Sequence, residues 1–416
     1  MHCFAVWAPY AQRVDLDLHT YEGVNRVPMD RSDSGWWRHH GQVGPGTDYA
    51  FRVDGGEPTP DPRSCWQPRG VHGPSRVFDL GAHQWQDRDW RGPQDGAGVL
   101  SAVVYELHVG TFTDIGTLDA AVEHLGDLAQ LGVDVVELMP LAAFPGRWGW
   151  GYDGVHPYAV HDPYGGPAAL QRFVDACHQH GVGVCLDVVY NHLGPSGNYL
   201  SRFGPYFTDK HHTPWGEAVN LDDQGSAPVR RWIVDNALRW FRDFHVDALR
   251  LDAVHELKDD SPRHLLAQLS EETAALSDAL GRPLALIAES DLNDPRTVEP
   301  TADGGLGMSA QWSDDLHHAL HATLSGERQG YYADFGPLPV LAKALTQVFV
   351  HDGGWSSFRG ATWGRPVDPT THDGRRFLGY LQTHDQVGNR ALGERIGALL
   401  TPGQQAIGAA LVLTSA

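Results

Sequence analysis

Apolar runs and the turn residues between them divide the chain in two. Over residues 1 to about 90, short β-like runs at 4–7, 14–18 and 49–53 are separated by clusters of Gly, Pro and Asp. This is the pattern of a small β-sandwich. From about residue 102 it changes: apolar strands at 103–109 (VVYELHV), 133–139 (VDVVELM), 182–189 (VGVCLDVV), 246–251 (VDALRL) and 284–288 (LALIA) alternate with helix-like stretches. Such alternation predicts parallel strands joined by crossover helices. Helices expected over 117–131, 168–180 and 261–280 each run into a glycine, Gly132, Gly181 and Gly281, the residue that a left-handed C-cap favours. Repeats of this kind suit a doubly wound sheet or an eight-stranded (β/α) barrel, and the position of the chemistry decides between them.

Barrels carry their reactive groups at the C-terminal ends of strands. There this sequence repeatedly puts charge. DVVYNH (187–192) brings Asp187, Asn191 and His192, and DALRLDAVHE (247–256) brings Arg250, Asp252, His255 and Glu256. Glu289 follows LALIA, and His384 and Asp385 lie in QTHDQVGNR (382–390), assigned to the seventh strand. A charge inside a run of Val, Leu and Ile is costly to bury unpaired. One such residue is as readily a structural ion pair as a functional group. Four strand ends together point to a site.

Composition narrows the ligand. Lys plus Arg number 31 against 52 Asp plus Glu, a net charge of −21, which disfavours nucleic acid and anionic membranes as partners and suits an uncharged or cationic ligand. With 41% hydrophobic and 20% charged residues, the chain should fold. Cys3, Cys65, Cys177 and Cys185 form no C-x-x-C pair, so they read as reduced core thiols, not as a zinc ribbon or disulfide framework. The N-terminal MHCFAVWAP lacks a signal-peptide pattern and no long apolar run follows, so a soluble cytoplasmic protein is expected.

The four charged segments, in order and spacing, resemble the four conserved regions of the α-amylase family of glycoside hydrolases, and the resemblance extends over about residues 100 to 416. It implies a TIM barrel in which Asp252 is the nucleophile, Glu289 the general acid and base, and Asp385 the carboxylate that binds sugar hydroxyls and helps distort the ring. Arg250, His192 and His384 are implied as partners around the nucleophile and the same sugar. Residue chemistry agrees. A retaining glycosidase needs two carboxyl groups about 5 to 5.5 Å apart, which adjacent strand ends can supply. Arg250 lies two residues before Asp252 and so shares its face of the strand. Burial after an apolar run would raise the pKa of Glu289 towards that of a general acid.

Further segments, YELHVGTFT (105–113), ELMPLAAFPGRWGWGYDGV (137–155), QWSDDLHHALH (311–321) and HDQVGNR (384–390), resemble the trehalose-releasing branch of that family, the maltooligosyltrehalose trehalohydrolases. The substrate so implied is maltooligosyltrehalose or a related α-glucan, cleaved at the α-1,4 bond next to terminal trehalose. Tyr152 is implied to stack on the sugar and Asp153 to hydrogen-bond it, with His255 and Glu256 on the leaving-group side. An α-1,4-glucan branching enzyme and a non-catalytic glucan-binding protein are the competing readings. No cofactor and no metal is expected: His317, His318 and His321 lack an acidic third ligand at metal spacing, and the resemblance implies no calcium at Asn191. Trp7, Trp36 and Trp37 are read as structural aromatics.

The expected domains are a carbohydrate-binding-like β-sandwich over 1–90 and a barrel over 91–416 with a short inserted loop subdomain at about 193–227. Residues 402–410 are expected to form the seventh helix and 411–416 to open an eighth strand. The barrel is thus expected to be truncated at its eighth strand, with the C-terminal β-domain absent. The sequence leaves the oligomeric state open.

Overall fold

A computed structural model describes residues 2–415. Its N-terminal part consists of two antiparallel sheets. In one, His2–Trp7 pairs with Trp36–Gly41; in the other, Val14–Thr20 lies between Gly23–Pro28 and Asp48–Val53. Phe4, Val6, Leu16 and Phe51 are buried between them. The tryptophans expected to be structural include buried Trp7, which meets Tyr206 edge to face at 5.6 Å, and buried Trp37, which donates to the Ala8 carbonyl. Arg63 lies over both Trp36 and Tyr158, at 5.6 and 5.3 Å, joining the sheets to the barrel.

Seven parallel strands follow in sequence order across one sheet: Val104–Leu107, Val135–Leu138, Gly183–Val188, Ala248–Leu251, Ala285–Ala288, Ala310–Trp312 and Phe377–Leu378. The second to fifth are buried along their whole length, which explains their continuous apolar character. Crossover helices include Gly166–Gln179, Ser226–Asp243 and Leu265–Leu280. Between the third strand and the second of these helices, the stretch 193–227 holds a hairpin, Phe207–Thr213 with Gly216–Val219. Among the described residues no helix is long and apolar enough to cross a membrane.

Three expectations are corrected. The helix expected over 117–131 is two, Leu118–Val122 and Leu125–Leu131, the second ending at Gly132 with φ of 94°. The seventh strand is Phe377–Leu378, so His384 and Asp385 stand beyond it on a short helix, His384–Gly388, capped by Thr383 and Gln386. Residues 411–414, expected as strand, continue the helix Pro402–Thr414, and Ala416 lies outside the described residues. The physical reason is local: Thr401 and Gln404 form a capping box, Pro402 occupies the first turn, and the Gln, Ala and Leu that follow favour helix. No eighth strand pairs with the first or the seventh among the described residues; a cavity of about 630 Å³, lined by Val104, Glu106, Glu137, Leu378 and Val412, lies at that edge.

Candidate active site

Strand register assembles the site around one cation. Arg250 on the fourth strand lies beside Asp187 on the third, and its guanidinium is fully buried. Nη1 donates to both Asp187 oxygens, at 3.0 and 2.9 Å, and to Asp252 Oδ1 at 3.0 Å; Nη2 lies 2.9 Å from Glu289 Oε2. One guanidinium cannot offset three carboxylates held away from water. Burial, reinforced by the Asp252 charge and only partly opposed by Arg250, pushes the Asp187 carboxyl up to about 6. Burial raises Glu289 further, to about 8, with the charges of Asp252 and Asp385 adding and Arg250 opposing.

Asp252 follows the fourth strand and keeps a 12% exposed side chain, into which Asn191 donates at 2.8 Å. The next residue, Ala253, adopts φ of 39°, left-handed backbone that costs a non-glycine residue about 1–2 kcal/mol. That turn aims the Ala253 N–H at Glu289 Oε2, 2.7 Å away. The strain therefore sits where the two carboxyl-bearing strand ends are tied together.

A cavity of about 570 Å³ opens beside Asp252, lined by Trp150, Tyr152, Asp153, His192, Trp215 and His384 among others, with Asp385 half exposed at its margin. Tyr152 donates to Asp187 at 2.6 Å and stacks on His384, the ring centroids 5.0 Å apart. His192 is held by the Tyr152 carbonyl at 2.9 Å and by the Asn191 amide, and burial lowers its pKa. Its ring lies flat against Trp215 from the hairpin, 4.0 Å between centroids. His384 behaves oppositely. Burial pulls it down, but Glu106, at 2.6 Å, together with Asp385, raises it to about 9.

Asp252, Tyr152, Asp153, His192, His384 and Asp385 thus share one cavity, and Arg250 and Glu289 stand directly behind Asp252. His255 and Glu256 do not line it: His255 Nε2 faces Asp291 at 3.7 Å and Glu256 meets Lys258 at 3.3 Å. Sequence reasoning missed Glu106, Glu137 and Trp215. Glu106 and Glu137 carried the signal used elsewhere, a lone carboxylate inside an apolar strand, and they lie side by side in the sheet. Trp215 gave no local signal, because the hairpin delivers it from a polar stretch.

The three helical histidines are engaged in packing. His317 bonds the Leu381 carbonyl and the Tyr332 hydroxyl, and His321 bonds Glu327 at 2.7 Å. Among the described residues, His211, Asp222 and Asp260 have metal-like spacing. Asp222 there already pairs with Lys210 at 2.8 Å, whose ammonium supplies the positive charge a cation would bring.

Comparison with known proteins fits this layout. Residues 90–215 match the α-amylase catalytic domain and residues 2–66 match carbohydrate-binding module 48, the isoamylase N-terminal domain. A malto-oligosyltrehalose trehalohydrolase of Arthrobacter ramosus is 54% identical over 99% of this chain and 71% of its own length. That of Rhizobium sp. strain M-11 is 51% identical over 99% and 69%. A crystal structure described as an alpha amylase from Salmonella typhimurium superposes with a TM-score of 0.91 at 38% identity, covering 99% of this chain and 69% of that one. A 1,4-alpha-glucan branching enzyme of Geobacillus stearothermophilus is more distant, 30% identical over 342 residues. At such identity, sustained over almost the whole sequence, the chain belongs to the malto-oligosyltrehalose trehalohydrolase family and is a glycoside hydrolase of the α-amylase type.

Proposed function

We propose that this enzyme hydrolyses the α-1,4 bond next to the terminal trehalose of malto-oligosyltrehalose, with retention, and releases trehalose. Asp252 attacks the anomeric carbon while Glu289 gives its proton to the departing oxygen. Glu289, now a base, takes a proton from the water that frees the sugar from Asp252. The observation that carries this reading is the Arg250 guanidinium, 3.0 Å from Asp252 and 2.9 Å from Glu289, whose carboxyl burial pushes up to about 8. Such shared contact supports the close carboxyl spacing, about 5 to 5.5 Å, that retention requires.

In the same reading Asp385 and His384 bind hydroxyls of the sugar on the nucleophile side, Tyr152 supports its ring, and Asp153 and His192 hydrogen-bond it from the wall. His255 and Glu256, outside that cavity on the turn that follows Asp252, are assigned to the leaving-group side by the family resemblance alone. The substrate carries no charge, so the protein's −21 net charge does not oppose binding. Four free cysteines support a reducing, cytoplasmic setting.

A branching enzyme would use the same carboxyl groups and differ in passing the glycosyl group to a sugar hydroxyl. A binding protein has no need of a protonated acid beside a nucleophile. Incubating the protein with malto-oligosyltrehalose and assaying free trehalose tests the proposal. Absence of trehalose from folded protein sinks it, and chain transfer on amylose without a rise in reducing ends would favour branching.

A further inference from the structure

Glu106 has no part in the bond cleavage proposed above, yet it reaches the site. Its Oε1 accepts the Nδ1–H of His384 at 2.6 Å, and its Oε2 accepts the backbone N–H of the same residue at 2.9 Å. One carboxylate thus holds both the ring and the main chain of a residue that stands beyond the last strand. The contact also settles the proton: because the carboxylate accepts, Nδ1 must donate, and Nε2 is left facing Asp385 Oδ1 at 3.5 Å. Tyr152 stacks on one side of the ring and Trp150 meets it edge-on at 5.5 Å. Besides Glu106, Tyr152 and Asp385, the ionisable groups around His384 are Glu137 on the second strand, Asp187 on the third and Arg250 on the fourth.

We propose that Glu106 is a positioning residue of this site, clamping His384 by ring and backbone together and supplying the counter-charge that keeps its Nε2–H aimed at Asp385 and the bound sugar. The inference rests on the reading of His384 as a sugar-binding group. Glu137, next to Glu106 in the sheet, does not compete for the role. Neither of its carboxyl oxygens has a hydrogen-bond partner, so it does not hold His384, and burial, with the neighbouring charges of Glu106 and Asp187, pushes its carboxyl up. Without the Glu106 carboxylate, burial and the nearby Arg250 both favour a neutral imidazole, free to choose its tautomer. Activity would then depend on pH in a range where the parent does not.

The test compares the parent chain with Glu106→Gln, Glu106→Asp and His384→Ala. The His384 ring nitrogens are followed by NMR, assigned by their loss in His384→Ala, and titration and trehalose release are measured from about pH 5 to about pH 10, a span that covers both the ordinary imidazole value and about 9. In the parent His384 should titrate near 9. In Glu106→Gln it should fall to the ordinary imidazole value or lower, with kcat/KM at neutral pH reduced about 100-fold. That loss should shrink in acid, where the ring regains its proton, and Glu106→Asp should restore most of the activity. An unchanged His384 titration, or an equal loss at every pH, overturns the inference. If Glu106→Gln does not fold, the parent decides alone, since a His384 that titrates at or below the ordinary value is equally fatal. His384→Ala separates the two claims: if it leaves trehalose release intact, the sugar-binding reading fails, whereas damage there with none in Glu106→Gln removes only the clamp.

Discussion

The two ends of the barrel carry buried ionic networks built from the same residue types, and they behave in opposite ways. At the end where strands begin, His178 lies between Asp87 and Asp247, at 2.9 and 3.0 Å. His245 also meets Asp87, and Arg282 and Trp90 both donate to Asp247. Burial would raise both carboxyls, but these partners reverse it and hold Asp87 and Asp247 below the ordinary range. At the end where strands finish, Asp187 and Glu289 are pushed up. Burial is common to both. What differs is the ratio: three basic side chains serve two carboxylates at one end, while one guanidinium serves three at the other. A balanced cluster fixes structure, whereas a cluster short of cations stores protons for chemistry.

Substitutions can break this contrast, starting with the largest effect. Glu289→Gln should lower kcat for trehalose release by about 10⁴-fold while the protein stays folded, and a loss below about tenfold would remove Glu289 from the chemistry. At the other end, Asp247→Asn strands His178 and Arg282 and should cost about 3–5 kcal/mol in urea unfolding, with kcat per folded molecule unchanged. A drop in kcat comparable to that of Glu289→Gln would show the two networks are not separate.

Titration sharpens the same contrast. In the proposed mechanism Glu289 works protonated, so activity should fall as pH rises past about 8. For stability the sign follows from its raised value: the contribution is complete below the ordinary 4.5 and is lost as pH rises towards about 8. Asp87 and Asp247, being depressed, give the reverse, stability present above the ordinary 3.8 and lost as pH falls below it. Melting curves should therefore show Glu289→Gln gaining on the parent between about pH 4.5 and about pH 8 and Asp247→Asn losing its deficit only in strong acid. Parallel curves would contradict both assignments. The smallest effect belongs to Ala253→Gly, which should relieve the left-handed turn and raise stability by up to about 1 kcal/mol in the same unfolding assay.

The sequence was most legible where burial leaves a mark along the chain. Four barrel strands, the second to fifth, stood out because both faces are covered, and Arg250, Asp252 and Glu289 stood out because charge in such runs is conspicuous. Legibility failed where tertiary partners decide. A short apolar run such as 411–414 fits strand or helix equally, and the upstream capping box settled it. Trp215 becomes a wall of the cavity only because a hairpin lays it on His192. Glu106 and Glu137 were visible as charges, but their meaning depends on a register between strands and on His384, which is 278 residues from Glu106 in the chain.

The network around Asp87 also has a bearing on how the protein is made. Asp87 leaves the ribosome early, its partners His178 and His245 lie 91 and 158 residues later, and Arg282, which completes the cluster through Asp247, comes last. At about 5–20 residues per second, Asp87 waits roughly 10 to 40 s for the full set. Throughout that interval Asp87 and Asp247 lack their full set of basic partners. Nascent chains stalled with residue 282 still inside the ribosome or already outside it should therefore differ in protease resistance of the segment around Asp87, and equal resistance would contradict a late closing of this cluster.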